Sequence, residues 1–189
     1  MSSLRTLLQY GTTSGGSNPL TSLRVYATNI TDQNNGGNCC QWTVPAGATV
    51  ASGQGTTSIT VDFGTSSGNV SVTPSNTCGN GTSNSKTVTI NSIISISSNP
   101  SNSTITENTN TSFSVTATGD GLTYQWQVDV DGVGSGTPFV DISDNTFYGG
   151  TDASTLNLTN TPLSYSGYTY QCVVTGTCGN ATSNSAALT

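Results

Sequence analysis

Five cysteines, a short series of aspartates and two neighbouring loop aromatics are the residues through which this 189-residue chain could do chemistry. Cys39, Cys40, Cys78, Cys172 and Cys178 make an odd count, so at least one thiol is unpaired or bonds between chains. Zinc would need converging cysteine and histidine ligands, and the chain has no His and no Cys-x-x-Cys spacing. The cysteines therefore read as structural, bridged in oxidising surroundings and thiols in a reducing one. Asp129, Asp131, Asp141 and Asp144 lie close in sequence. Asp129-Val130-Asp131-Gly132 has the opening of a calcium loop, where hard oxygens converge, but no Glu follows at the closing position. Asp-Gly is also a good turn, and the turn is the preferred reading. General acid–base work usually falls to His, and Lys86 is the one lysine, so no enzymatic activity and no cofactor are expected. A glycosidase-type carboxylate pair is formally available, but nine acids scattered over turns read as solvated loops. Phe147 and Tyr148 could stack on a sugar as a glycan contact or pack beneath their own loop, and packing is the commoner fate of aromatics.

Charge is sparse, at 6% of residues, with three Lys/Arg against nine Asp/Glu and a net charge of −6. Non-specific nucleic-acid binding releases counterions through several cations per site, which Arg5, Arg24 and Lys86 cannot supply. The same deficit argues against an anionic membrane surface. No run approaches the ~20 apolar residues of a membrane span. Residues 1–10 are also too poor in apolar residues for a secretory leader. Read as a natural start, Met1 predicts no export by the general secretory route; read as a fragment, the chain has lost its signal. Ser, Thr, Asn and Gly fill the polar positions, interleaved with Val, Ile, Leu, Tyr and Trp. Threonine suits a pleated, half-exposed surface because its branched Cβ already restricts χ1.

The elements that must position these residues are strands. Cys78-Gly79-Asn80-Gly81-Thr82-Ser83-Asn84-Ser85 returns almost unchanged as Cys178-Gly179-Asn180-Ala181-Thr182-Ser183-Asn184-Ser185. Each copy sits between alternating runs, which predicts a β-hairpin turning at Gly-Asn. A repeat at ~100 residues is too long for a solenoid and fits a sandwich domain. The chain thus divides into an N-terminal arm (1–19) and two sandwiches (20–90 and 91–189). Leu4, Leu7 and Leu8 are spaced for one helical face, and Gly11, Gly15, Gly16 and Pro19 stop a helix soon after. They make the arm the expected docking segment for a protein partner. Cys40-Gln41-Trp42-Thr43-Val44 and Leu122-Thr123-Tyr124-Gln125-Trp126-Gln127-Val128 are expected strands, with Trp42 and Trp126 as equivalent core anchors.

Trp42-Thr43-Val44-Pro45-Ala46-Gly47-Ala48, with Gly53-Gln54-Gly55-Thr56 and Val61-Asp62-Phe63-Gly64, resembles the PKD-like domain of Bacteroidota surface and gliding-motility proteins. The Cys39-Cys40 pair departs from that pattern. Tyr124-Gln125-Trp126-Gln127, Asp131-Gly132, Leu156-Asn157-Leu158, Gly167-Tyr168-Thr169-Tyr170 and Cys172-Val173-Val174 resemble the Ig-like domain repeated in long secreted Bacteroidota proteins. Antibody-type domains carry Tyr two residues before the strand-F Cys, as Tyr170 stands to Cys172. They also carry a strand-B Cys where this chain has Val115, so the inter-sheet disulfide is expected to be absent. In an Ig-type sandwich the loops before strand C and between F and G share one end. Cys39 or Cys40 could then reach Cys78, and Cys172 and Cys178 could form a short closure.

These resemblances imply an all-β protein of two tandem immunoglobulin-like sandwiches that is non-catalytic and surface-displayed. The favoured setting is a bacteriophage virion, as capsid decoration or fibre; the alternatives are a two-repeat fragment of a secreted adhesin and a carbohydrate-binding accessory module. Expected partners are a capsid or surface protein bound through residues 1–19 and a cell-surface glycan, with no nucleic acid and no membrane insertion. Gly79-Asn80-Gly81 and Gly179-Asn180 lack the aromatics and Arg that interface cores favour, so the hairpin tips are not the expected partner site.

Overall fold

The computed structural model describes residues 5–8, 22–28, 40–76, 79–132, 136 and 138–189, with the backbone alone for 5–8, 22–28 and 76. The chain forms two compact units, Met1–Ile90 and Asn91–Thr189.

In the first unit the strands are β1 (Arg5–Leu8), β2 (Ser22–Thr28), β3 (Cys40–Thr43), β4 (Thr49–Ser52), β5 (Ser58–Asp62), β6 (Gly68–Asn76), β7 (Gly79–Asn80) and β8 (Asn84–Val88). One sheet runs β1-β2-β5-β4; in the other, β6 pairs with β3, β7 and β8. This is the ABED/CFG division of an immunoglobulin constant-type sandwich. Alternation builds it: Ile59 and Val61 on β5 and Val70 and Val72 on β6 turn inward, with Trp42, Phe63 and Val88 completing the core. Pro45-Ala46-Gly47-Ala48 closes the turn after β3, with Ala48 N–H donating to the Pro45 carbonyl (3.0 Å) and Gly47 at φ +87°. The Leu4–Leu8 spacing does not make a helix. Arg5–Leu8 is extended and pairs antiparallel with β2, from Arg5↔Thr28 to Leu8↔Val25. Pairing to a sheet edge outweighs a one-turn apolar spacing, because so short a helix cannot meet its nucleation cost alone. Leu4 lies outside the described residues.

The second unit holds β9 (Ser95–Ser98), β10 (Thr111–Ser114), β11 (Thr116–Thr118), β12 (Thr123–Asp129), β13 (Val140–Asp141), β14 (Tyr148–Gly149), β15 (Thr155–Leu158), β16 (Thr169–Gly176), β17 (Gly179–Thr182) and β18 (Ala186–Ala187). β10-β15-β14 form one layer, β9 joins β11, and β13-β12-β16-β17 form the other, with β18 also on β16. Its core gathers Phe113, Val115, Trp126, Val128, Leu156, Leu158, Tyr170, Cys172, Val174 and Leu188.

The two tryptophans are held alike. Trp42 Nε1–H donates to the Thr56 carbonyl and Trp126 Nε1–H to the Ala153 carbonyl, each at 2.9 Å. Gln54 Nε2 caps the Trp42 carbonyl (3.0 Å), as Gln125 Nε2 caps that of Trp126 (2.9 Å). Trp42 faces Val72 on β6, and Trp126 faces Cys172 on β16. The closing hairpins share their register too: Asn76↔Gly79 and Ser75↔Asn80 in the first unit, Gly176↔Gly179 and Thr175↔Asn180 in the second. Gly179-Asn180 is therefore already strand, and Thr177-Cys178 is the two-residue loop. The sequence reading places that turn too late, because Gly and Asn flag a positive φ without fixing which residues pair (Gly179 has φ +111°). Both hairpins then slip by one residue, between Ser75↔Asn80 and Val72↔Asn84 and between Val173↔Thr182 and Tyr170↔Ala186. That is a β-bulge at the repeated Thr-Ser. In the second unit Ser183 fills it: its N–H donates to the Cys172 carbonyl (2.9 Å), and its Oγ accepts the Cys172 N–H (2.9 Å).

Candidate functional site

Cys40 is buried on β3 and disulfide-bonded. Cys39 and Cys78 lie outside the described residues. Cys172 and Cys178 are free thiols, so the short closure between them does not form. The reason is strand alternation: Cys172 faces the core from β16, while Cys178 sits on the exposed loop with Sγ 3.7 Å from the Asn91 carbonyl oxygen. Burial pushes the Cys172 thiol up to about 11, against a hydrogen bond from the Gln125 backbone. A thiol so raised is a poor nucleophile and packs as a small apolar group. Buried Val115 shares its core, in place of a bridging partner.

Asp129 and Asp144 serve turns. Asp129 is 5% exposed at the end of β12, and its Oδ1 accepts the Asp131 N–H (3.0 Å) just before Gly132, at φ +84°. This is an Asx-type turn. Asp131 is exposed, and among the described residues no three His, Cys, Asp or Glu side chains gather as metal ligands would. Asp144 Oδ1 accepts the Thr151 hydroxyl (2.6 Å) and N–H (2.9 Å). The Thr151 hydroxyl, then the Thr151 and Gly150 N–H groups, hold this carboxyl below its ordinary range.

Tyr148 is 7% exposed and belongs to the core, which removes it as a sugar platform. Its ring stacks on Tyr165 (5.6 Å, 23°) and meets Tyr170 edge-on (6.1 Å, 70°), and the Tyr148 and Tyr170 hydroxyls are 3.2 Å apart. Phe147, half-buried, packs edge-on against Tyr165 at 5.8 Å. β14 turns Tyr148 inward because its register with Leu158 sets it among residues of the core-facing side of β15. Burial drives both phenols well above their ordinary range; for Tyr148 the bond with Tyr170 adds to the rise, and for Tyr170 it opposes it. They stay protonated and serve packing, not acid–base chemistry.

The outward side of the β13-β12-β16 sheet carries an arrangement that the sequence reading missed. Asp141 Oδ1 accepts from Gln127 Nε2 (2.7 Å), and Gln127 Oε1 accepts from Gln171 Nε2 (2.8 Å). All three stand in register across three strands. Val140 on β13 and Val130 just past β12 are also exposed, at 53% and 51%, and the register pairs Val140 with inward-facing Val128, not with the amides. The sequence signal was present: Gln127 alternates with inward Trp126 and Val128, and Gln171 with inward Tyr170 and Cys172. Their adjacency needed the strand register. A polar face of two amides and one carboxylate can exchange hydrogen bonds with a partner, and it offers no nucleophile–base pair.

Comparison with known proteins gives the same picture. Residues 16–90 match the family model of the PKD-like domain. The I-band fragment I67–I69 from titin is similar in structure, with TM-score 0.56 and 14% identity over 88% of this chain. This chain spans 58% of that fragment. The N-terminal eight Ig domains of Down Syndrome Cell Adhesion Molecule give TM-score 0.68 and 14% identity, covering 100% of this chain and 25% of that one. DIP-gamma IG1+IG2 gives TM-score 0.52 and 13% identity, covering 89% of this chain and 87% of that one. At such identities the likeness shows the fold alone. No curated protein sequence matches. The chain thus carries a match to the PKD-like domain over residues 16–90 and has an immunoglobulin-like fold.

Proposed function

We propose that this protein is a surface-displayed structural and binding module, set on a bacteriophage virion as capsid decoration or fibre and attached through residues 1–19. One observation carries the display reading. Much of the described chemical potential is committed to structure: Cys40 to a disulfide, Asp129 and Asp144 to turns, Tyr148 and Tyr170 to the core. Attachment by strand addition fits β1 better than a docking helix does, since β1 is the terminal strand of its sheet and backbone pairing needs no charged side chains. A second reading, a fragment of a secreted cell-surface adhesin, draws support from the cell adhesion molecule among the structural neighbours. A glycan contact at Phe147 and Tyr148 loses its platform to the burial of Tyr148.

Mass spectrometry of purified virions distinguishes the settings. Peptides of this chain at stoichiometric copy number support decoration, whereas absence from particles together with a much longer parent reading frame supports the adhesin. Deleting residues 2–10 should abolish incorporation into the parent assembly. Since the deletion also removes β1, circular dichroism must show both units still folded. If the folded, truncated chain still assembles and Asn80 or Asn180 substitutions block it, the hairpins carry the contact instead.

A further inference from the structure

We propose that the second unit binds a calcium ion at the outer end of the β12–β16 pair, through Asp129, Asp131 and the Thr169 hydroxyl. Alternation along β12 turns Trp126 and Val128 inward, so Gln127 and Asp129 belong to the other side of the sheet. Gln127 is half-buried there, opposite Gln171. The next pair on that side is Asp129 and Thr169, and it is closed to solvent, with Asp129 5% exposed and Thr169 1%. Residues paired across antiparallel strands project from the same side, with Cβ atoms ~4.5–5.5 Å apart. Carboxyl and hydroxyl therefore share one buried space. Thr169 Oγ1 has no hydrogen-bond partner among the described residues. A buried hydroxyl that the protein leaves unmatched marks a place for an atom from outside it.

Charge makes that atom a cation. A buried carboxylate is held by hydrogen bonds, by an opposite charge or by a metal. All three bases, Arg5, Arg24 and Lys86, precede the second unit, which begins at Asn91 and holds every acid of the chain except Asp32 and Asp62. No basic side chain of that unit can answer Asp129. Its Oδ1 accepts the Asp131 N–H (3.0 Å), yet a carboxylate offers about four lone-pair sites in all. The turn closed by this bond carries the exposed Asp131, a second carboxylate reached from solvent. Gly132 follows at φ +84°, and a Cβ there would stand 2.9 Å from the Gly167 carbonyl oxygen, so that oxygen borders the same turn. Every donor is a hard oxygen. Calcium takes about six to eight of these in flexible geometry, whereas magnesium demands a near-ideal octahedron. Two carboxylates completed by hydroxyl, carbonyl and water fit the weak sites of extracellular modules, with Kd ~10⁻⁴–10⁻³ M. Binding ties the loop after β12 to the start of β16. The inference goes beyond display and depends on no particular native setting.

Titrating the full chain with calcium chloride tests it, read by calorimetry and by the luminescence of terbium, for which Tyr168 beside Thr169 is the antenna. Calcium at about ten times its Kd should shift the second unit's unfolding equilibrium about ten-fold toward the folded state and leave the first unit's transition in place. Terbium should give tyrosine-sensitised emission that calcium displaces. Asp131→Asn, at an exposed position, should weaken calcium binding about ten-fold and leave the calcium-free melting unchanged. Thr169→Val should weaken binding too, yet keep the calcium-free unit at least as stable, because a methyl replaces an unpartnered hydroxyl. A threonine that serves packing alone would not move the calcium response. Absence of any calcium or terbium response, a response confined to the first unit, or one unchanged in both variants overturns the proposal.

Discussion

The two units share a frame and fill it differently. Both hold a tryptophan by one indole hydrogen bond and a glutamine cap, and both close with a bulged hairpin in the same register. Yet the path from the tryptophan to its partner on the next sheet strand takes 30 residues in the first unit (Trp42 to Val72) and 46 in the second (Trp126 to Cys172). The added length supplies β13 to the outer sheet and brings Tyr148 into the core. The first unit, with a largely aliphatic core, has the Cys40 disulfide; the second has stacked tyrosines and a free buried thiol. A covalent constraint in one and aromatic area in the other support the same sandwich, so the frame does not dictate its filling.

Removing a tryptophan is the strongest way to test whether the frame is held twice over. Trp126→Ala should cost ~3–5 kcal/mol through lost transfer energy and the cavity left behind. Against a domain stability of ~5–15 kcal/mol, that should melt the second unit while the first stays folded, as two calorimetric transitions or two sets of amide resonances would report. Loss of both units in one step would mean that they unfold cooperatively and that the comparison between separate cores is false.

Reduction should act on the other side of the comparison. Cleaving the Cys40 disulfide with a thiol reagent should cost the first unit ~2–4 kcal/mol, lowering its melting transition and leaving that of the second in place. Equal shifts in both transitions would show that the bridge constrains more than its own core.

Alkaline pH should sharpen the contrast from the second unit's side with the smallest effect. Burial raises the Cys172 thiol and the Tyr148 and Tyr170 phenols, so the folded state keeps protons that the unfolded chain releases. Their contribution is whole below the unfolded values, ~8.5 for Cys and ~10 for Tyr, and is lost as pH climbs through the folded ones. The second unit's melting temperature should fall from about pH 9 upward. Tyr148→Phe should itself cost about 1 kcal/mol, since Tyr170 loses its hydroxyl partner, and should flatten part of that decline. A pH profile unchanged in Tyr148→Phe and Cys172→Ala would place the alkaline sensitivity elsewhere.

Local pattern by itself determined the all-β class, the Trp42 and Trp126 anchors and the turn at Pro45-Ala46-Gly47-Ala48, because alternation and positive-φ glycine act over a few residues. The repeat likewise made the shared hairpin legible. Pairing decided the rest. Arg5–Leu8 became a strand, and the repeated hairpin turned at Thr177-Cys178, because register depends on a partner strand whose identity no local spacing contains. Tyr148 went inside, and Asp141, Gln127 and Gln171 met on one face, for the same reason. The two amides lie 44 residues apart in sequence, and the strand register alone brings them within a hydrogen bond.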